Sequence, residues 1–339
     1  MNLIHENKSR KLSVLPLSII LSLCSVSTSY AYVMADSDAP EYQQADIKAD
    51  INHGVMKTNI NIQSPDSNGL SHNKYTKFDV LAGDSIVLNN MLSTEYNGNP
   101  LLKGAAAKII LNEVRSNEAS TLAGNIHLAG QDAHVIIANP SGIDCNGCSF
   151  TNMSHLALTT GAMNFSHYNK LLGFKVTDGN ININERGLVH QGRDAKSAYL
   201  DLFAEKVNIK GKLKADDVLF VAGKHWINLA KPGQKMEITQ MTDYSSTPDH
   251  FTSVDVSDIG GMHANKIYIR AEGNIKNSNT IQSAGLLQIV NGGKFYNSGK
   301  VTTLSKNLKT LPVSALVYTE NDKWSAFKFK DMKKKYSNM

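Results

Sequence analysis

The chain has 339 residues, of which 41% are hydrophobic, 7% aromatic and 19% charged; that is enough apolar material for a large core and too little charge for a disordered chain. No apolar run reaches the ~18 residues a membrane-spanning helix needs. The net charge of +5 is carried by the ends, with +2 in residues 1–31 and +5 in residues 323–339, so residues 32–322 sum to −2 and a basic nucleic-acid groove in the body is excluded.

The N-terminus has the three-part order of a secretory signal. Lys8, Arg10 and Lys11 precede an apolar run at residues 12–26, and Ser29-Tyr30-Ala31 sets small residues where signal peptidase reads them. Residues 1–31 are therefore expected to be a signal peptide cut after Ala31, with a second candidate cut after Ala35. The bulky Leu21-Ser22-Leu23 before Cys24 argues against lipidation there.

Residues 45–63 carry apolar positions at Ile47, Ile51, Val55, Ile60 and Ile62 and are read as an N-terminal β cap. Short runs rich in Val, Ile, Leu and Tyr follow at residues 86–88, 108–111, 134–137, 206–209, 218–221, 266–269 and 286–290, separated by Gly and Asn. Once the signal is removed, Cys145 and Cys148 are the two cysteines left. An oxidising compartment favours closing them as a structural disulfide. The Cys-x-x-Cys spacing also occurs in redox sites and in half of a zinc site, but no second pair and no strand-to-helix pattern accompany it.

Many short strands suit a sandwich, a barrel or a solenoid, and internal repetition decides. Residues 275–281 (Ile-Lys-Asn-Ser-Asn-Thr-Ile) align with 295–301 (Phe-Tyr-Asn-Ser-Gly-Lys-Val) at an offset of 20. A fainter copy aligns 213–215 with 281–283 and 219–221 with 287–289. That period suits one turn of a parallel β-helix, with Asn at bends and in stacked ladders. The repeats lack the helical half of a leucine-rich horseshoe. The expected fold is all-β, a right-handed parallel β-helix with an N-terminal β cap. Residues 248–261 are read as a break, either a loop or an extra hairpin. Beyond Leu311 the period is lost, and residues 311–339 form a Lys-rich tail, read as a solvated end with anionic-surface binding as the sharper alternative.

At this point the stretch from Ser71 to Gly161 resembles the secretion domain of two-partner-secretion exoproteins, the group of filamentous haemagglutinin and the haemolysin-type cytolysins. The residues carrying the resemblance are 69–80 (Gly-Leu-Ser-His-Asn-Lys-Tyr-Thr-Lys-Phe-Asp-Val), 86–90, 110–114, 122–124 and 135–143 (Val-Ile-Ile-Ala-Asn-Pro-Ser-Gly-Ile), with 199–204 and 221–223 downstream. One hallmark falls on Asn139-Pro140-Ser141-Gly142-Ile143, with Ser141 in place of a second Asn. Another falls on Asn99-Pro100-Leu101-Leu102, with Leu101 in place of Asn. Haemolysin-type members also carry a Cys pair just after the second motif, matching Cys145 and Cys148. Physically, Asn-Pro presets an extended residue before a fixed proline φ, and Gly142 permits a turn other residues resist. Both a shaped corner between strands and direct contact with a transporter fit these motifs.

The resemblance implies a secretion domain of the haemagglutination-activity type at residues 32–250, with further repeats of about 20 residues at 251–310. It implies a chain secreted or surface-bound by way of the periplasm of a Gram-negative bacterium. The implied partner is an outer-membrane barrel transporter with periplasmic recognition domains, and a host-cell or bacterial surface is a further partner class. An adhesin, haemagglutinin or haemolysin-type role is implied, without the long C-terminal effector region common in the group.

The alternative is a secreted β-helix polysaccharide lyase or hydrolase, for which Asp216, Asp217, Asp255 and Asp258 are the acidic candidates. Adjacent Asp216 and Asp217 on a strand face opposite ways. No His-Glu-x-x-His, Gly-x-Ser-x-Gly or phosphate-loop motif is present. No catalytic residue, cofactor, metal site or nucleic-acid partner is expected. His72 is read as a structural hydrogen-bonder, and Trp226 and Trp324 as packing residues.

Overall fold

In a strand, successive side chains point to opposite faces, and three ladders of parallel strands use that alternation to close around one interior. The computed structural model describes residues 32–193, 198–229, 236–241, 251–303 and 317–318. The chain divides into two units, Met1–Ala31 and Tyr32–Met339, and every described residue lies in the second.

The first ladder stacks Val55–Asn61, Ser85–Asn90, Asn125–Gly130, Cys148–Thr151, Leu188–Gln191 and Lys212–Lys214. It continues into the long strands Gly261–Ala271 and Thr280–Asn291, then Lys300–Thr303. The second stacks Leu70–Phe78, Ile109–Val114, His134–Ala138, His155–Thr159, Tyr199–Ala204 and Asp217–Ala222, then the later halves of the same two long strands. The third stacks Ser120–Leu122, Ile143–Cys145, Asn180–Ile183, Lys206–Ile209, Thr252–Val256, Asn274–Asn277 and Phe295–Asn297. This is a parallel β-helix, and no α-helix occurs among the described residues.

Inward positions line up from rung to rung. Ile110, Val135, Leu156, Leu200, Val218, Ile267 and Leu287 form one column in direct register. Leu122, Cys145, Ile183, Ile209 and Val256 form another. All are buried, each contributing roughly 1.5–3 kcal/mol through apolar burial if a full aliphatic side chain leaves water. Each rung therefore completes its core only when its neighbour is in place.

The N-terminal end is closed by antiparallel strands. Asp46–Asn52 pairs with Val55–Asn61 through His53-Gly54, whose φ values of 51° and 79° suit a tight two-residue hairpin. Val33–Ala35 pairs antiparallel with Leu70–Phe78. Of the expected cap residues, Ile60 and Ile62 are buried and Ile47 packs partly on the core, but Ile51 and Val55 are exposed. The reason is register: the next rung supports this hairpin only from Lys57 onward, so its tip overhangs.

The offset of 20 is a stacking register, pairing Ile275 with Phe295, Asn277 with Asn297 and Ile281 with Val301. The fainter copy is half right. Leu213 stacks through Met262 on Ile281, but Val218, not Leu219, stacks through Ile267 on Leu287. The register shifts between Ala264 and Lys266, where the later strand takes one more residue. A slip of one residue exchanges the faces, and Leu219 points outward accordingly. Of the expected break at residues 248–261, residues 248–250 lie outside the described residues, whereas Thr252–Val256 is a strand of the third ladder, with a register irregularity between Thr252 and Val254.

The extra hairpins arise elsewhere. Ala162–Phe165, Leu171–Val176, His225–Asn228 and Glu237–Gln240 form a four-stranded antiparallel sheet. Phe174, Val176, Ile227 and Ile238 pack on Leu111, Ile136, Ala157, Phe203, Leu219 and Tyr268, the outward side chains of the second ladder. Those rung strands are apolar on both faces because both are covered.

Candidate functional site

The two Asn-Pro motifs fold into the same device. Asn139 follows the strand His134–Ala138 and turns the chain into Ile143–Cys145. Its carbonyl accepts from Gly142 N at 3.0 Å, closing a turn with Pro140 at the second position. Its Oδ1 accepts from Ser141 N at 2.9 Å, and its Nδ2 donates to Glu118 O at 2.9 Å and Ser120 Oγ at 3.0 Å. Asn99 repeats this pattern. Its carbonyl accepts from Leu102 N, its Oδ1 from Leu101 N, and its Nδ2 donates to Ile62 O at 2.8 Å and Asn89 O at 3.0 Å.

Both asparagine side chains are fully buried, as are Ile143 and Leu102. Pro100, Pro140 and Ser141 form the exposed outer surface of the two corners. Gly142 has φ 121°, and a Cβ there would lie 3.3 Å from Asn180 O; a side chain is disfavoured on both counts. Ser141 and Leu101 stand where the resembled motifs carry Asn, and the geometry tolerates them because each contributes its backbone N–H to the turn. Ser141 Oγ also donates to Ser116 O at 3.0 Å.

One strand further on, Cys145 and Cys148 are joined by a disulfide, with Cα atoms 5.4 Å apart. Cys145 stacks between Leu122 and Ile183. A loop this short gains only about 2 kcal/mol from chain entropy, so the bridge shapes a corner more than it holds the fold.

His72 is a structural link. It bonds Gln43 Nε2 at 3.1 Å and Glu113 Oε2 at 2.6 Å, and its ring stacks on Phe165 with centroids 5.4 Å apart. That contact ties the outer sheet to the first rungs. Trp226 is half-buried with Lys175 Nζ 5.1 Å over its ring; Trp324 lies outside the described residues.

The acidic candidates are dispersed. Asp217 is buried and paired with Lys266 Nζ at 2.7 Å, and burial raises its pKa above the usual carboxylate value. Asp216 accepts from Ala198 N at 2.9 Å. Asp255 stands on the third ladder, away from the second ladder that carries Asp217, and Asp258 is exposed beyond its strand.

One cluster carries no sequence motif. His134 and His155 occupy equivalent positions on adjacent rungs, with rings stacked at 3.7 Å and 3° from parallel. His155 Nε2 lies 2.8 Å from Asp201 Oδ2, and the Tyr199 ring meets His155 edge-on at 5.8 Å. Burial, then the neighbouring His155, holds the His134 pKa well below its ordinary value. The spacing of 134, 155 and 201 follows no local pattern. Only the rung register brings these residues together.

The TPS secretion domain family matches residues 31–301. Among curated proteins, Toxin CdiA of Yersinia pestis is 34% identical over 313 residues, covering 88% of this chain and 9% of that protein. The 16S rRNA endonuclease CdiA of Enterobacter cloacae subsp. cloacae is 36% identical over 217 residues, covering 61% of this chain and 6% of that protein. The chain thus spans less than a tenth of these relatives. Among solved structures, the filamentous hemagglutinin secretion domain aligns with a TM-score of 0.57 at 24% identity, covering 80% of this chain and 95% of that one.

Proposed function

Since this chain belongs to the TPS secretion domain family, we propose that its β-helix is the part by which a secreted exoprotein is accepted and carried outward by an outer-membrane barrel partner. The observation that carries this reading is the family match over residues 31–301, a span that takes in the antiparallel cap, both Asn-Pro corners and the stacked rungs. Residues 1–31 act as the cleaved signal that delivers the chain to the periplasm.

The corners are the chosen recognition elements. Their asparagine amides hold the turn from inside, and Pro100, Pro140 and Ser141 offer a rigid outer edge that loses little entropy on binding. A partner that meets the chain before it folds would instead read the amides themselves. The nuclease activities belong to the relatives that bear those names, and the likeness to one of them covers 6% of its length. Of the adhesin and toxin readings, the toxin names among the relatives favour delivery of a toxic exoprotein.

Co-expression with a candidate outer-membrane barrel transporter tests the reading. The chain is expected in the medium when the barrel is present and in the periplasm when it is deleted. Equal release with and without the barrel overturns the proposal.

A further inference from the structure

We propose that His134, His155 and Asp201 form a binding site for a divalent transition metal of the zinc type. The three residues lie on three successive rungs of the second ladder, His134 and His155 in direct register and Asp201 two residues along from the partner of His155. Each offers one ligand atom, and these atoms all lie within 4.8 Å of one another. Tetrahedral zinc with bonds near 2.1 Å needs ligand atoms about 3.4 Å apart. The widest pair therefore has to close by little more than an ångström. His155 and Asp201 are already in contact at 2.8 Å.

The second observation is an orphaned group. The Nε2 of His134 is buried and has no hydrogen-bond partner, whereas buried imidazole nitrogens are ordinarily satisfied. A metal would supply that missing partner. Two imidazoles and one carboxylate are the borderline and hard donors that suit zinc, nickel or copper, and they leave further coordination positions open. Asp201 is 1% exposed and His155 6% exposed, so both donors sit in the low-dielectric flank between the rungs and the outer sheet. The stacked rings must tilt apart to aim their lone pairs at one point. His134 is the less buried of the two as a residue, so the tilt is assigned to its ring. Bound metal would clasp three consecutive rungs together.

The test is zinc titration of the purified full chain after chelator treatment, read by calorimetry and by the thermal midpoint. The expected result is one equivalent bound with micromolar affinity or tighter, and a midpoint that rises with free zinc by mass action. His134→Gln should weaken binding at least about tenfold, since loss of an outer-shell partner alone commonly costs that much, and should leave the metal-free midpoint close to wild type. Asp201→Asn gives an independent second reading. His53→Asn, at the exposed hairpin tip, should bind as wild type does. No saturable uptake near one equivalent, or equal uptake by wild type and His134→Gln, overturns the proposal.

Discussion

At the scale of single residues, the asparagines of the two corners are defined by their hydrogens. Asn139 and Asn99 each donate twice from Nδ2 and accept from the residue two positions on. An aspartate of the same shape keeps the acceptor and loses both donors. In Asn139→Asp the carboxylate would face the Glu118 carbonyl, which already lies 2.9 Å from that position. Leaving such buried groups unpaired costs about 1–3 kcal/mol. Asn139→Asp is therefore expected to lower the unfolding free energy by that amount, and the denaturant midpoint with it, while the solenoid still folds, measured by equilibrium unfolding followed with circular dichroism. An unchanged midpoint would show that the corner is held by Pro140 and Gly142 alone. The identity of these positions was legible in the sequence because Asn-Pro and a following Gly are turn signals. Their burial was not, because it depends on which carbonyls of another rung lie beneath them.

At the scale of elements, the rungs and the outer sheet differ in how far the sequence announces them. Rung strands at residues 86–88, 134–137 and 218–221 stand out as β-branched runs between Gly and Asn, and the offset of 20 between Asn277 and Asn297 is the stacking distance of the last rungs alone. The outer sheet was missed because Phe174, Val176, Ile227 and Ile238 belong to two hairpins that interrupt the repeat 50 residues apart, and neither shows why it needs the other. The signal was present in the rungs: Ile136, Phe203 and Leu219 are apolar at outward positions, which demands a cover. The fainter repeat failed at Leu219 for a related reason, since a one-residue irregularity near Ala264 exchanges the faces downstream. Phe174 is fully buried in this layer and lies 5.7 Å from the Phe203 ring. Phe174→Ala should cost about 3–5 kcal/mol of packing. Because that packing joins two layers and not two rungs, faster amide exchange is expected in Leu171–Val176 and His225–Asn228, with protection retained in His155–Thr159 and Tyr199–Ala204. Uniform loss of protection would mean the layers fold as one unit.

At the scale of the whole described solenoid, chain order and stacking order coincide, and the proposed export draws on that coincidence. Within each ladder the strands bond to the rung before and the rung after in chain order, and the antiparallel cap covers the first rung. A chain emerging from a pore with its N-terminal end already folded can add rungs one at a time, each gaining its apolar columns as it docks. Backward movement then requires undoing a rung, which gives direction without an energy source. A charge placed in a column should interrupt this at a defined point, since an unpaired buried carboxylate is far more costly than any single rung contact. Leu158 lies midway, stacked between Ile137 and Leu202, and Ile281 lies late, between Met262 and Val301. Leu158→Asp is expected to keep amide protection only in strands before Cys148–Thr151 and to slow appearance in the medium several-fold. Ile281→Asp should keep protection through Asp217–Ala222 and leave the cell at a rate closer to wild type. The measurement is exchange mapped rung by rung, paired with pulse-chase of the secreted chain in cells carrying the barrel. If the two variants lose protection over the same strands, the stack is a single cooperative block, and stepwise folding cannot be what draws the chain outward.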